Sequence, residues 1–340
     1  MPRLSVIIPA FNRAHLIGET LRSLLAQTLP ADEIIVVDDG STDGTAAAAE
    51  VFGAPVKVIR QANAGPAAAR NAGFRASRGE FIHFFDSDDL AAPNKHAVQL
   101  AALETTAADI AYGPWLKGRF NGKSFCPSNQ VLQQKGLPRE SDLVRALLTI
   151  WSVVPHAALF RRSMVEQAGG FSEDLHGTED QQMFLACLLA GAKVVHTPDT
   201  IEFYRQGDAG KITESQGGRL RHLHAWGYFL CKARQTCLAK GIDPAGWFGF
   251  RRRAWELHEE LSRRGDADPR LLEQLEPLFA GRMPFGFYRW HGKLERWRGG
   301  LQARVTGGRA SSCFRIGAIR QVQIEQLRLL GFQLGESNGT

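Results

Sequence analysis

The chain has 340 residues, 44% of them apolar, and a formal net charge of +6, which allows one large α/β unit with an appendage. No stretch reaches the ~20 uncharged apolar residues of a membrane helix. Five scattered cysteines (Cys126, Cys187, Cys231, Cys237, Cys313) form no CxxC pair, which argues against a disulfide framework or zinc site and for a reducing compartment.

The N-terminus, MPRLSVIIPAFNR, has a short apolar core without a small-residue cleavage site and reads as a first strand. Strand-like runs lie at 4–9 (LSVIIP), 33–38 (EIIVVD), 56–60 (VKVIR) and 80–85 (EFIHFF). They are continuous and not alternating, as strands covered on both faces are. Helical patterns over 14–27, 43–52 and 65–77 separate them, and Ser41, Thr42 or Asp43 offers an N-cap for the second. This order predicts a right-handed, doubly wound, mostly parallel sheet with its ligand crevice at the carboxyl ends of the strands. Four polar motifs fall at those ends: PAFNR, DDGSTDGT, QANAG and DSDD. Their convergence on one edge suggests a nucleotide site. No GxGxxG follows the first strand, which counts against a dinucleotide.

The fourth motif closes the run FIHFFDSDDL. On an extended chain, side chains two apart share a face ~7 Å apart, so Asp86 and Asp88 are expected to project together. Hard oxygen ligands at a strand end suit Mg²⁺ or Mn²⁺ and the phosphates such a cation carries. The alternative is that Asp88 and Asp89 cap a helix beginning near Pro93.

Together with GTED at 177–180, the motifs PAFNR, VVDDGSTDGT, QANAGPAAARNAG and FFDSDD resemble, in order, those of family 2 glycosyltransferases. The resemblance covers roughly residues 3–210 and implies a GT-A-type doubly wound α/β fold with flanking helices. It further implies inverting transfer of one sugar from a nucleotide-sugar donor, UDP-sugar favoured, assisted by Mn²⁺ or Mg²⁺. The acceptor would be a glycan or lipid-linked hydroxyl in cell-surface polysaccharide or glycolipid synthesis. By position, Pro9, Phe11, Asn12 and Asp39 hold the base, the Asp39 carboxylate accepting its imino N–H. Asn63 and Gly65 sit in the third motif, where Arg70 reaches the donor phosphates or the acidic cluster, or is simply solvated. Asp86 and Ser87 contact the donor, and Asp86 and Asp88 hold the metal. Asp180 is the general base of a single displacement, with Glu179 beside it; the competing reading of this pair is favourable charge at a helix N-terminus. Trp151 and His156 either line the acceptor pocket or fill the core. Arg205 and Lys211 are further candidates for the diphosphate, whereas His196 reads as buried structure. Ala186 replaces an arginine usual in the family, and Gln181 and Gln182 replace aromatic and acidic residues. The QxxRW motif of processive synthases is absent.

Residues 1–214 are therefore expected to form the catalytic domain, with halves 1–110 and 111–214, followed by a basic, mainly helical region at 215–340. That region holds 21 Lys and Arg against 11 Asp and Glu, whereas residues 1–214 hold 20 against 24. Arg251, Arg252, Arg253, Trp290 and Trp297 form either a solvated face or a peripheral contact with an anionic membrane. No nucleic-acid motif is visible. The expected location is the cytoplasm or the inner face of the membrane. Two other functions compete: a metal-dependent nucleotidyltransferase, and a non-catalytic sugar-nucleotide or glycan-binding protein.

Overall fold

The computed structural model describes residues 3–128, 130–138, 143–207, 217–265, 267–280, 288 and 317–335. The four apolar runs become β1 (Leu4–Ala10), β2 (Glu33–Asp38), β3 (Val56–Arg60) and β4 (Phe81–Phe84). All four are parallel, in the order β4-β1-β2-β3. Crossovers α1 (Ile17–Leu25), α2 (Thr45–Glu50) and α3 (Pro66–Ala76) are shorter than the sequence pattern suggested. Both faces of the sheet are covered, which accounts for the mostly apolar, non-alternating runs. On β1, Val6 and Ile8 enter one hydrophobic cluster while Ile7 between them enters another. Each fully buried side chain of this size contributes roughly 1.5–3 kcal/mol.

The sheet continues past β4 with β9 (Ala158–Arg161), β6 (Ile110–Tyr112) and β10 (Val194–His196), seven strands in all. Of these only β9 runs antiparallel to its neighbours. A second sheet has the order β12-β8-β7-β11-β5, built from β5 (Leu90–Ala91), β7 (Trp115–Asn121), β8 (Ser124–Pro127), β11 (Glu202–Arg205) and β12 (Gln333–Leu334). Helices α4 (Lys95–Thr106), α5 (Leu143–Thr149), α6 (Arg162–Ala168) and α7 (Glu179–Leu189) complete the part of the chain before residue 207.

After residue 217 come α8 (Gly218–Leu238), α9 (Phe248–Arg264), α10 (Pro269–Leu275) and a last helix, Gln321–Leu329. Phe229, Leu230 and Phe250 of this region share one hydrophobic cluster with Ile82, Phe84 and Trp151. The boundary expected at residue 214 lies outside the described residues, as do Lys211, Trp290, Trp297 and Cys313. Among the described residues no helix is long and apolar enough to cross a membrane.

Gly73 lets α3 lie flat on the sheet, since a Cβ there would come within 2.4 Å of Ile7 Cγ2 and 3.1 Å of Val37 Cγ2. Gly73→Ala should therefore cost about 1–3 kcal/mol by overpacking, against the roughly 1 kcal/mol gained in helix propensity. Urea denaturation measures the balance; a stabilised variant would show that α3 has room to move.

Candidate active site

The four motifs meet at one edge, each held by its neighbours. Asn12 takes φ +52°, a left-handed conformation that asparagine tolerates. Its N–H donates to Ser41 Oγ (2.9 Å), and its Oδ1 accepts from the N–H of Thr42 (2.9 Å). Asp38 Oδ1 accepts from the N–H of Ser41 (3.0 Å). Gly44, and not Ser41, Thr42 or Asp43, occupies the N-cap of α2, which therefore has no side-chain cap; Asp43 Oδ1 accepts from the N–H of Thr45 (3.1 Å), the first residue of the helix.

Buried Asp39 ties the second motif to the third. Its Oδ1 accepts from Gln61 Nε2 (2.7 Å) and the N–H of Ala64 (2.9 Å), and its Oδ2 from the N–H of Gly65 (2.8 Å). Gly65 adopts φ +90°, which its missing Cβ permits. Asn63 is exposed, and its backbone N would lie 2.9 Å from a Cβ at Gly40. Phe11, 45% exposed, presents an aromatic face beside these loops, while Pro9 is partly covered.

The fourth strand ends at Phe84, and residues 86–89 form a turn and not extended chain. That changes the expected geometry. Asp86 and Asp88 do not project as an extended pair; ligand atoms of Asp86, Asp89 and His156 lie within 4.8 Å of one another. Asp88 Oδ2 lies 3.6 Å from Arg13 Nε, and Ser87 is buried in the turn. Arg205 clamps the turn from β11. Its N–H donates to Asp89 Oδ1 (2.8 Å), its Nε to the Asp88 carbonyl (2.8 Å), and its guanidinium pairs with Glu19. Arg205 is thus engaged with protein, away from the diphosphate role considered for it.

Asp86 carries one donor on each oxygen: Arg70 Nη2 on Oδ1 (2.8 Å) and His156 Nδ1 on Oδ2 (3.0 Å). Burial raises its pKa, but the His156 hydrogen bond and the Arg70 charge outweigh that and hold it below the ordinary carboxylate range. Burial likewise depresses His156, and the charges of Asp89 and Asp86 more than offset it, so its pKa is raised. An ionised, 26% exposed carboxylate with hard oxygens fits a cation of the Mg²⁺ or Mn²⁺ class. His156, which spends its Nδ1 proton on Asp86, fits as the outer partner that orients such a ligand.

Arg70 is the hinge of the site. Its Nη1 donates to Glu179 Oε1 (2.9 Å) while Nη2 holds Asp86, and its guanidinium lies 5.2 Å from the Phe171 ring centre. Its pKa is raised; the charges of Asp86 and Glu179 overcome the effect of burial. Glu179 is buried and also accepts from the N–H of Gly177 (2.8 Å). Next to it, Asp180 is partly exposed on the first turn of α7, its Oδ1 accepting only a local bond from Gln181 N–H (2.8 Å). Burial and then the Glu179 charge push the Asp180 carboxyl up to about 7.

Two residues considered for the acceptor pocket are placed elsewhere. Trp151 is fully buried, edge-on to Tyr112 (5.8 Å) and Phe184 (5.6 Å), because the chain after α5 turns directly into the main core. His156 is fully buried behind the Asp86 turn and has no acceptor-facing surface. His196 bonds the Gln133 carbonyl through Nε2 (2.7 Å), as a structural histidine would. Sequence reasoning missed Arg205 as the clamp of the turn and His156 as the partner of Asp86. It also missed a fully buried ion pair, Lys95 with Glu202 (2.6 Å), which joins α4 to β11. Neither a spacing nor a motif announced them.

A mostly parallel, doubly wound sheet with its polar groups gathered at the carboxyl edge defines a ligand-binding α/β protein. Residues 5–169 match the family described as Glycosyl transferase family 2, and that segment is a glycosyltransferase domain of the family. It is 31% identical over 222 residues to EpsJ, an uncharacterized glycosyltransferase of Bacillus subtilis, covering 63% of this chain and 64% of that protein. The chain thus spans just under two thirds of EpsJ. To the succinoglycan biosynthesis protein ExoO of Rhizobium meliloti it is 29% identical over 309 residues, 83% of this chain and 86% of that one. Its fold is similar to crystal structures of S. aureus TarS residues 1–349. The first has 21% identity and a TM-score of 0.56, covering 81% of this chain and 78% of TarS 1–349. The second, in complex with UDP-GlcNAc, has 22% identity and a TM-score of 0.54, covering 81% and 79%.

Proposed function

We propose that the chain transfers a single sugar from a nucleoside-diphosphate sugar, a UDP-sugar first, to an acceptor hydroxyl, with inversion at the anomeric carbon, in the synthesis of a surface polysaccharide or glycolipid. The observation that carries this reading is Arg70, which spans Asp86 of the donor turn and Glu179 beside Asp180. One guanidinium thereby fixes the donor side and the candidate base in a common frame. Phe11, Asn12 and the Asp39 loop receive the base of the nucleotide. Asp86 would hold a divalent cation, with Asp88 of the same turn as the second ligand that the motif implies, and the cation would supply Lewis-acid neutralisation of the departing diphosphate. Asp180 accepts the proton of the acceptor hydroxyl as its oxygen attacks the anomeric carbon. The new C–O bond forms as the bond to the diphosphate oxygen breaks, and the nucleoside diphosphate leaves. Family membership, the name of ExoO and the UDP-GlcNAc of the TarS complex support the donor and the product class.

Calorimetric titration with UDP, dTDP and GDP, with and without Mn²⁺, tests the donor side. UDP should bind in the presence of Mn²⁺ and weaken about 10–100-fold in Asp88→Ala, at least the loss seen when an outer partner of a metal ligand is removed. If none of the three binds under any condition, the nucleotide reading fails.

A further inference from the structure

We infer that the acceptor is an anionic sugar, bearing a phosphate or carboxylate beside the accepting residue, seated on an aromatic and cationic shelf between β7 and α8. This rests on the transferase reading above and adds the charge of the second substrate. On one side of the shelf, Lys117 Nζ lies 5.3 Å from the ring centre of Trp115 and 5.0 Å from that of Tyr204. Tyr204 in turn lies 5.6 Å from the imidazole of His156, which holds Asp86. On the other side, the Arg253 guanidinium sits 3.9 Å from the ring centre of Trp226, and Trp226 Nε1 donates to His222 Nε2 (2.9 Å).

The first side borders the donor turn through His156, and the second borders the candidate base. Trp226 follows Ala225, whose carbonyl accepts from Thr178 Oγ1 (3.1 Å), two residues before Asp180. The two sides also share one field. His222 is held below its ordinary pKa by partial burial first, and then by the charges of Lys117, Arg253 and Arg219. Lys117 and Arg253 therefore act on the same imidazole from opposite elements.

The chemistry follows from this placement. Partly exposed aromatic rings such as Trp226 and Tyr204 offer flat apolar faces with polar edges, a shape suited to a sugar ring. A neutral sugar needs nothing more. An anionic one meets Asp86, Asp88, Glu179 and Asp180 at this edge and is repelled by them. Cations beside the rings supply the compensation that such a substrate requires, and Arg253 is fixed for it by a bond from Nη1 to the Leu147 carbonyl (3.1 Å).

Tryptophan fluorescence of the full chain, titrated with glucose 6-phosphate, glucuronate and glucose, tests this. At least one of the two anions should bind about tenfold or more tightly than glucose, the worth of one charge-assisted hydrogen bond; which anion prevails separates phosphate from carboxylate. The preference should shrink between about 0.01 M and 1 M salt, as the Debye length falls from ~30 to ~3 Å. It should vanish in Lys117→Met and return in Lys117→Arg. Equal binding of glucose, no binding of either anion, or a preference that survives Lys117→Met overturns the inference. So does a Lys117→Met protein that loses UDP affinity and keeps its anion preference, since that assigns the lysine to the donor diphosphate. If UDP fails to bind the wild type while the anion preference holds, the donor reading falls and the shelf stands.

Discussion

Asparagine in place of Asp180 lowers sugar transfer by about 10²–10⁴-fold, the usual worth of a positioned general base, and leaves UDP binding unchanged. Asp180 sits on the first turn of α7, where, among the described residues, its carboxylate is bonded only by the next residue, Gln181. The side chain can therefore turn towards an incoming hydroxyl. Its pKa near 7 arises from burial, reinforced by Glu179 and opposed by Arg70. A base must be deprotonated to act, so kcat/KM of the wild type should rise about tenfold per pH unit below 7 and level off above it. The asparagine variant lacks the titrating group and should show neither the rate nor that limb. Quantifying UDP release against pH from 5.5 to 8.5, with calorimetry of UDP on both proteins, reads both effects. A wild-type profile flat across that range, or a variant within a few-fold of wild type, would remove Asp180 from the base role.

The first four strands were legible because a strand covered on both faces shows no alternating polar face, and 4–9, 33–38, 56–60 and 80–85 are mostly apolar, with Ser5, Lys57 and His83 as interior exceptions. The convergence of four polar loops on one edge then follows from the handedness of parallel crossovers. What the sequence concealed is partner choice between distant segments. Insertion of β9 antiparallel between β4 and β6 leaves no local mark, because Ala158–Arg161 reads as an apolar run in either direction. The contact of His156 with Asp86 joins positions 70 apart, and that of Arg70 with Glu179 joins positions 109 apart. Hydrophobic periodicity reports burial and says nothing of which carboxylate a buried cation meets. Even the local geometry of the DSDD motif was misleading. Extrapolating the strand paired Asp86 with Asp88, whereas the strand stops at Phe84 and the turn brings Asp89 towards His156. Trp151 stayed open between pocket and core for a related reason: an aromatic near a site and an aromatic in a core have the same sequence signature, and the structure decides for the core.

Arg70→Met should destabilise the fold by about 3–5 kcal/mol, the cost of stripping one partner from a buried ionic set. The guanidinium is buried, and its Nη1 and Nη2 each hold a carboxylate at 2.9 and 2.8 Å. Methionine keeps the apolar bulk against Phe171 but leaves Glu179 and Asp86 without that positive charge. The sign of the pH dependence follows. With Arg70 present, the Asp86 pKa is depressed, so its contribution to stability is in place above the unfolded-state pKa and is lost as pH falls through the folded-state value. The gap between wild type and variant should therefore be widest near neutrality and narrow towards acid, as the stranded carboxyls protonate. Adding Glu179→Gln to Arg70→Met should recover part of the loss, because it removes one of the two negative charges left beside the vacated guanidinium. Urea denaturation at pH 5 and pH 7.5 of the three proteins measures this. The residual activity carries an independent signature. Arg70 is the charge that opposes the upward shift of Asp180, so the rising limb of the pH profile should move to higher pH in Arg70→Met. A variant that loses stability while its pH profile stays in place would reduce Arg70 to a structural strut. A shifted limb would show that one guanidinium sets both the cohesion of the site and the proton affinity of its base.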